Sequence, residues 1–310
     1  MPRLVWLTDI HLDAADARRI ELLAHDVRAA AADAVLIGGD IALAPTFAAA
    51  LRDLATRFQT PVYFVLGNHD YYRGAIAEVR AAARELSRSE ENVVWLPEAM
   101  VVPLGHETAL VGHGGWGDAR LGDFAGSTVV LNDYLLIEEL RRVARRPVGG
   151  RQSAGGSRQA ANHGNDPQRD AIESERFHEP FGIPTVPLPD ALRVKLNELG
   201  DDAAAHFRDA LARVPAERSH LLVLTHVPPW REACWYEGRT SDDEWAPHFT
   251  CGAVGEVLRD HMRRHPEKRM TVLCGHTHNA GEADILPNLH VVTGAAEYGA
   301  PRVQRVIEVE

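Results

Sequence analysis

"AVLIGGD", residues 34–40, is the stretch on which the reading of the fold turns. Four apolar residues, too few for a helix, run into two glycines and an aspartate. A short apolar run bounded by a turn signal reads as a buried strand, and Asp40 then stands where that strand leaves its sheet. The same arrangement recurs on both sides. Upstream, "RLVWLT" (3–8) leads into Asp9 and His11; downstream, "VYFVLG" (62–67) leads into Asn68, His69 and Asp70. Between and after these runs, Ile20, Leu23, Ala24 and Val27, then Phe47, Leu51, Leu54 and Phe58, then Ile76, Val79, Ala83 and Leu86 recur at helical spacing. Strands alternating with helices in this way predict a layered α/β domain.

Further along, "VVWL", "MVVPL" and "TALVG" lie so close together between 93 and 113 that hairpins, rather than intervening helices, are expected there. A helix is expected over 133–145, and a long one marked by Leu192, Leu196, Leu199, Phe207 and Leu211. "HLLVLT" (220–225) and "RMTVLC" (269–274) read as strands, with an aromatic loop over 228–250 and a helix over 252–265. Short β runs near 284–286, 289–293 and 303–309 end the chain. The segment around 147–170 is rich in Gly, Ser, Gln and Asn and nearly free of large apolar residues, so it buries too little surface to offset its ordering entropy. Residues 147–188 are accordingly expected to be a flexible insertion inside one domain spanning 1–310.

Composition narrows the function. With 45% hydrophobic and 25% charged residues over 310 positions, the chain is ordinary globular material, and a net charge of -11 disfavours nucleic acid or an anionic membrane as a general partner. "MPRLVWLTDIHLD" lacks the apolar core and cleavage pattern of a signal peptide, and no stretch approaches the length needed to cross a bilayer, which leads to a cytoplasmic expectation. The three cysteines, Cys234, Cys251 and Cys274, form no C-x-x-C pair and read as reduced thiols.

"TVLCGHTHNA" (271–280) raises the chemical question, since it sets His276 and His278 two residues apart past a strand. They are either a wet turn, with Gly275 supplying the bend, or two imidazoles aimed at metal. The other strand ends supply partners: Asp9, His11, Asp40, Asn68 and, after 220–225, His226. In open α/β sheets such loops converge at the carboxyl ends of the strands, where ligands bind. Two carboxylates, one amide oxygen and four imidazoles suit Mn, Fe, Zn or Ni better than Ca or Cu(I). Seven ligands exceed one ion's needs and match two divalent transition-metal ions sharing a carboxylate.

The ordered set D-x-H, GGD, GNHD, a lone His after a strand, and GH-x-H resembles the calcineurin-like metallophosphoesterase superfamily over nearly the whole chain, the insertion excepted. The resemblance implies a four-layer α/β/β/α sandwich and a two-metal site. It implies that Asp9, His11, Asp40 and His278 hold one ion, with Asp40 bridging to a second held by Asn68, His226 and His276. His69 would face the substrate, stabilising phosphoryl charge or protonating the leaving oxygen, with Asp70 orienting its ring. The implied activity is hydrolysis of a phosphate ester by a metal-bridging hydroxide, monoester and diester alike being open. A small phosphorylated substrate, a nucleotide among the candidates, fits the acidic chain. The alternative is a non-catalytic scaffold of the same fold, which has no use for His69 and Asp70.

Other polar residues have two readings each. His113 in "GHGGWG" either lines the pocket or is a buried, hydrogen-bonded histidine. Asp118, Arg120, Asn132 and Asp133 either reach substrate or form a supporting network. The loop with Trp230, Arg231, Trp235, Tyr236, Arg239 and Trp245 either caps the site and stacks on a substrate ring or is packed without substrate contact. "RRVARRP" (141–147) reads as a solvated helix end.

Overall fold

A computed structural model describes residues 1–144 and 188–310. The expected insertion over 147–188 therefore lies outside the described residues, apart from Leu188.

Two sheets face each other. In the first, β1 (Arg3–Leu7), β2 (Ala34–Ile37), β3 (Val62–Phe64) and β4 (Val93–Trp95) run parallel in chain order, and β13 (Arg305–Glu308) pairs antiparallel along β1. The second has the order β11-β12-β10-β7-β6-β5, with β5 (Val102–Leu104), β6 (Thr108–Gly112), β7 (His220–Leu224), β10 (Arg269–Cys274), β11 (Gly281–Leu286) and β12 (Leu289–Thr293). Its four central strands are parallel and its edge strands β5 and β11 antiparallel. Strands covered on both faces read as unbroken apolar runs, which is why "LVWL" and "LLVL" show no polar alternation.

The pleat sorts these runs into layers. Leu4, Trp6 and Leu36 of the first sheet meet Leu110, Leu222, Leu224 and Leu273 of the second in a seam between the sheets. Their neighbours Val5, Leu7, Val35 and Ile37 point the other way, against α1 (Ala17–Ala29), α2 (Phe47–Phe58) and α3 (Ile76–Ser89). On the far side Leu221, Val223 and Val272 pack with Val254, Leu258 and Met262 of a further helix. The result is helix, sheet, sheet, helix, as the resemblance implied. Each leucine in the seam is fully or almost fully buried, a contribution of roughly 1.5–3 kcal/mol apiece. Among the described residues the helices longer than one turn after β6 are α4 (Glu138–Ala144), α5 (Asp190–Ala212) and α6 (Gly252–Arg264), and α5 spans both outer layers, Leu192 and Leu196 on the first, Phe207 and Leu211 on the second.

Three expectations need correction. The runs between 93 and 113 are not one hairpin series: β4 belongs to the first sheet, a one-turn helix at Leu96–Ala99 follows, and only β5 and β6 pair, in the second sheet. Leu96, fully buried in the seam, is where the chain changes sheets. The expected helix over 133–145 is two, Asp133–Leu136 and α4, parted by Ile137 in extended conformation. The aromatic loop over 228–250 contains a small hairpin, β8 (Trp235–Tyr236) with β9 (Arg239–Thr240). All three cysteines are buried and unbridged, and none of the described helices is long and apolar enough to cross a membrane.

One buried histidine gives the fold a defined acid response. Tyr134, kept protonated chiefly by burial, donates to His248 Nδ1 at 2.6 Å, so the ring proton sits on Nε2 and is donated to Ser127 Oγ at 2.9 Å. Burial pulls the His248 imidazole down to about 3 from an ordinary 6.5. The unfolded chain therefore takes up this proton first, so the stabilisation is complete above pH 6.5 and is lost as the pH falls toward 3. Thermal denaturation followed from neutral pH downward should show this loss at about 1.4 kcal/mol per pH unit for this group. His248→Gln should make the profile shallower; an unchanged slope would show that His248 is not the titrating group.

Candidate metal centre

The loops after β1, β2, β3, β7 and β10 converge at the carboxyl ends of the strands and interlace through their backbones. Asp9 N–H donates to Gly39 O at 3.1 Å, His11 N–H to Asp40 O at 3.0 Å, and Gly275 N–H to His226 O at 2.9 Å. Five of the seven candidate ligands have positive φ: Asp9 at 51°, His11 at 37°, Asp40 at 51°, His276 at 72° and His278 at 58°. A non-glycine residue there costs of order 1–3 kcal/mol and is kept where the surroundings over-determine it. The bend at "GHTH" is thus made by the histidines themselves. Gly275, expected to supply it, has another purpose: a Cβ there would lie 2.0 Å from Asp9 Oδ2 and 2.3 Å from Thr8 Oγ1. Gly67 is constrained likewise, since its Cβ would fall 2.2 Å from Asp40 Oδ1.

Asp9, His11, Asp40 and His278 offer ligand atoms that all lie within 4.8 Å of one another. His11 Nε2 is 3.1 Å from His278 Nε2 and 3.8 Å from Asp40 Oδ2, and His278 Nε2 is 3.5 Å from Asp9 Oδ1. The other oxygen of Asp40 faces the other group. Its Oδ1 is 3.4 Å from His226 Nε2, which in turn is 3.0 Å from Asn68 Oδ1. His276 completes this side, its ring 5.0 Å from that of His226 and its Nε2 buried without a hydrogen-bond partner. The structure thus brings all seven candidates together, in two groups that meet at Asp40.

The surroundings set the tautomers and orientations. His226 Nδ1–H donates to Gly38 O at 2.9 Å, which leaves Nε2 as the free lone pair. Asn68 Nδ2 donates to Asp133 Oδ1 at 2.9 Å, and Tyr72 OH donates to the same oxygen at 2.7 Å, so the amide turns its own oxygen toward His226. Two acceptors facing each other at 3.0 Å would both suit a cation between them. Burial, followed by the charges of Asp9 and Asp70, pushes the Asp40 carboxyl well above the usual carboxylate range. Bound cations would reverse that balance. Burial, then the neighbouring imidazoles, holds His11 and His276 well below 6.5, in the neutral form that ligates. The donor set therefore fits hard-to-borderline divalent ions.

Asp133→Ala should weaken metal binding by roughly 10- to 100-fold, the usual effect of removing a residue that orients a ligand. Asp133→Asn, which keeps an acceptor oxygen, should lose much less. Titration with Mn checks this, and equal losses in both variants would mean that charge, not orientation, is what Asp133 supplies.

His69 sits at the rim. Its side chain is 17% exposed where His11 and His226 are at 0%, and its Nε2 lies 4.0 Å from Asp40 Oδ2. Asp70 does not take the place expected for it. Its Oδ2 accepts Gly67 N–H at 2.8 Å and Asp40 N–H at 3.0 Å, and its Oδ1 accepts Ile41 N–H at 2.8 Å and Ala42 N–H at 3.1 Å. With its acceptor sites engaged by backbone, it clamps the β2 and β3 loops and holds Asp40 rather than the ring of His69.

Sequence reading missed Tyr298. Its ring lies 4.4 Å from that of His11 and 5.2 Å from that of His278, with its hydroxyl 3.4 Å from His69 Nε2. "GAAEYGAP" follows β12 and carries no motif, so only the fold discloses it. His113 is the buried alternative: its Nδ1 accepts Gly115 N–H at 3.1 Å, and it is not among the clustered ligands. Asp118 accepts Ala253 N–H at 2.8 Å and pairs with Arg120 at 3.0 Å, a supporting network at the start of α6. That network borders a cavity of about 940 Å³ also lined by Arg208, Trp230 and Glu256, and no candidate ligand lines it.

The calcineurin-like phosphoesterase family matches residues 2–280. No curated protein sequence matches the chain. Among solved structures, a phosphopantetheinyl hydrolase from Mycobacterium tuberculosis is similar at 15% identity and a TM-score of 0.54, over 96% of this chain and 90% of that one. A dimetal phosphatase from Danio rerio is similar at 11% identity and a TM-score of 0.51, over 95% and 88%. At these identities the likeness is one of fold.

Proposed function

The chain belongs to the calcineurin-like phosphoesterase family, and from that premise we propose that it is a hydrolase of small phosphate esters working with two divalent transition-metal ions. The observation that carries the reading is Asp40, whose two oxygens face separate ligand groups, Oδ2 toward His11 and Oδ1 toward His226. Asp9, His11 and His278 would hold one ion with Asp40, and Asn68, His226 and His276 the other. Such a pair supplies an activated water and neutralises charge on the phosphoryl oxygens.

The chain's own residues do the rest. Asp70 and the interlaced loops keep Asp40 in its left-handed conformation, and Asp133 with Tyr72 keeps the oxygen of Asn68 turned inward. His69, at the exposed edge, is positioned to meet the leaving oxygen and to deliver a proton from Nε2, with Tyr298 beside it. An overall charge of -11 does not oppose an anionic substrate, because the ions would leave the pocket net positive.

Turnover of an aryl phosphate ester with added Mn, lost on chelation, is the expected result, with about two ions bound per chain by elemental analysis. Full activity at one ion per chain would overturn the two-metal reading, and metal binding without turnover on monoesters or diesters would favour a scaffold instead.

A further inference from the structure

We propose that the exposed rings of Trp245 and Tyr236 form a subsite beside the metal centre for a planar aromatic ring carried by the substrate, a nucleobase or an aryl group. The inference rests on the phosphoesterase reading and adds to it the chemical class of the ester.

A ladder of rings leads outward from the candidate ligand His276. Phe249 lies 4.8 Å from it, Trp245 lies 5.6 Å from Phe249, and Tyr236 lies 6.2 Å from Trp245 with the planes only 17° apart. Those separations put Trp245 within reach of a ring joined to the ester phosphate by a sugar-sized linker. The outer two rings are the accessible ones: Trp245 is 38% and Tyr236 47% exposed, whereas Trp6, Trp95, Trp116 and Trp230 are all buried. Leaving two large rings in water forgoes burial that other tryptophans of the chain obtain, and aromatic faces so placed suit a stacking partner.

The hairpin explains why Tyr236 faces outward. Side chains alternate along a strand, and its neighbour Trp235 packs over β11, where a Cβ on Gly281 would lie 2.2 Å from the indole Nε1. Tyr236 is left on the opposite face, with Arg239 as its cross-strand partner. Trp245 is held just as firmly. Its N–H donates to Asp242 Oδ1 at 3.1 Å, the preceding Glu244 accepts Thr128 Oγ1–H at 2.6 Å through its carboxylate and Ser127 Oγ–H at 2.9 Å through its carbonyl, and the following turn carries the buried His248. Acidic neighbours are engaged as well, Asp243 by Arg231 at 2.5 Å. A shelf fixed in advance loses little freedom when a ring settles on it.

Calorimetry on the Mn-loaded protein, with the hydrolysis-resistant 5′-methylenephosphonates of adenosine and of ribose, reads the subsite without turnover. The adenosine compound should bind roughly 5- to 150-fold more tightly, the gain expected when one base stacks on an aromatic side chain. Trp245→Ala should bring that ratio close to one and Trp245→Phe should restore most of it. Tyr236→Ala, on an exposed two-residue strand, should lower the ratio too and serves if Trp245→Ala does not fold. Phenylphosphonate against ethylphosphonate separates the sources: a comparable ratio points to any aryl ring, a ratio near one to a nucleobase. Equal affinity for adenosine and ribose compounds in the wild type, or a ratio that survives both alanine variants, overturns the subsite. Failure of the phosphoesterase reading is seen elsewhere, as absence of aryl ester turnover with Mn.

Discussion

Asp40→Asn should abolish most of the hydrolysis and cost the protein at least one of its ions. Every other candidate ligand belongs to one group of donors, whereas Asp40 has an oxygen toward each. The amide replaces a charged oxygen with an N–H donor, which no cation accepts, and the fold has nothing to compensate: Asp40 is 1% exposed and its backbone is clamped by Asp70. Since a residue that merely orients a ligand is typically worth 10- to 100-fold, the loss should exceed about 100-fold in activity, with metal content below that of the wild type. The variant should fold, because burial and the charges of Asp9 and Asp70 work against the ionised carboxyl in the metal-free protein. Near-normal activity with two ions bound would mean that Asp40 is not the shared ligand.

His69→Ala should reveal its role through the leaving group. A proton delivered to the departing oxygen matters in proportion to how poor that leaving group is, so an ester of an acidic phenol should lose little and an alkyl ester far more. General acid help is typically worth roughly 10²- to 10⁴-fold, and the gap between the substrates should approach that range. Metal content should stay unchanged, because the His69 side chain stands at the rim, while its backbone N–H, which donates to Asp40 Oδ1 at 2.9 Å, survives the substitution. Equal losses on both esters would assign the ring to charge stabilisation. Loss of metal would make it a ligand.

Much of this was legible in the chain as written. Each strand that leads to a candidate ligand is a short apolar run that reaches a Gly or Thr at or just past its end, and the residues after it are candidates because carboxyl ends converge in such sheets. That rule needs only the order of strands, so Asp9, Asp40, Asn68 and His226 could be named before their distances were known. Helical periodicity in α1, α2 and α3 was equally plain, because each presents one apolar stripe to the first sheet.

Tertiary structure decided what local pattern does not encode. Whether β4 continues into β5 or leaves for another sheet depends on where Leu96 finds burial, not on the spacing of the runs. The partners of Asp70 are four backbone N–H groups, which no side-chain motif announces. Tyr298 lies in a segment without a signature of its own; the aromatic loop over 228–250 stood out by composition, but which of its rings stay exposed was set by the hairpin pairing of Tyr236 with Arg239. Motifs record which side chains the chemistry requires; a backbone donor or an aromatic face is offered by almost any sequence, so only the three-dimensional path of the chain selects which of them border the site.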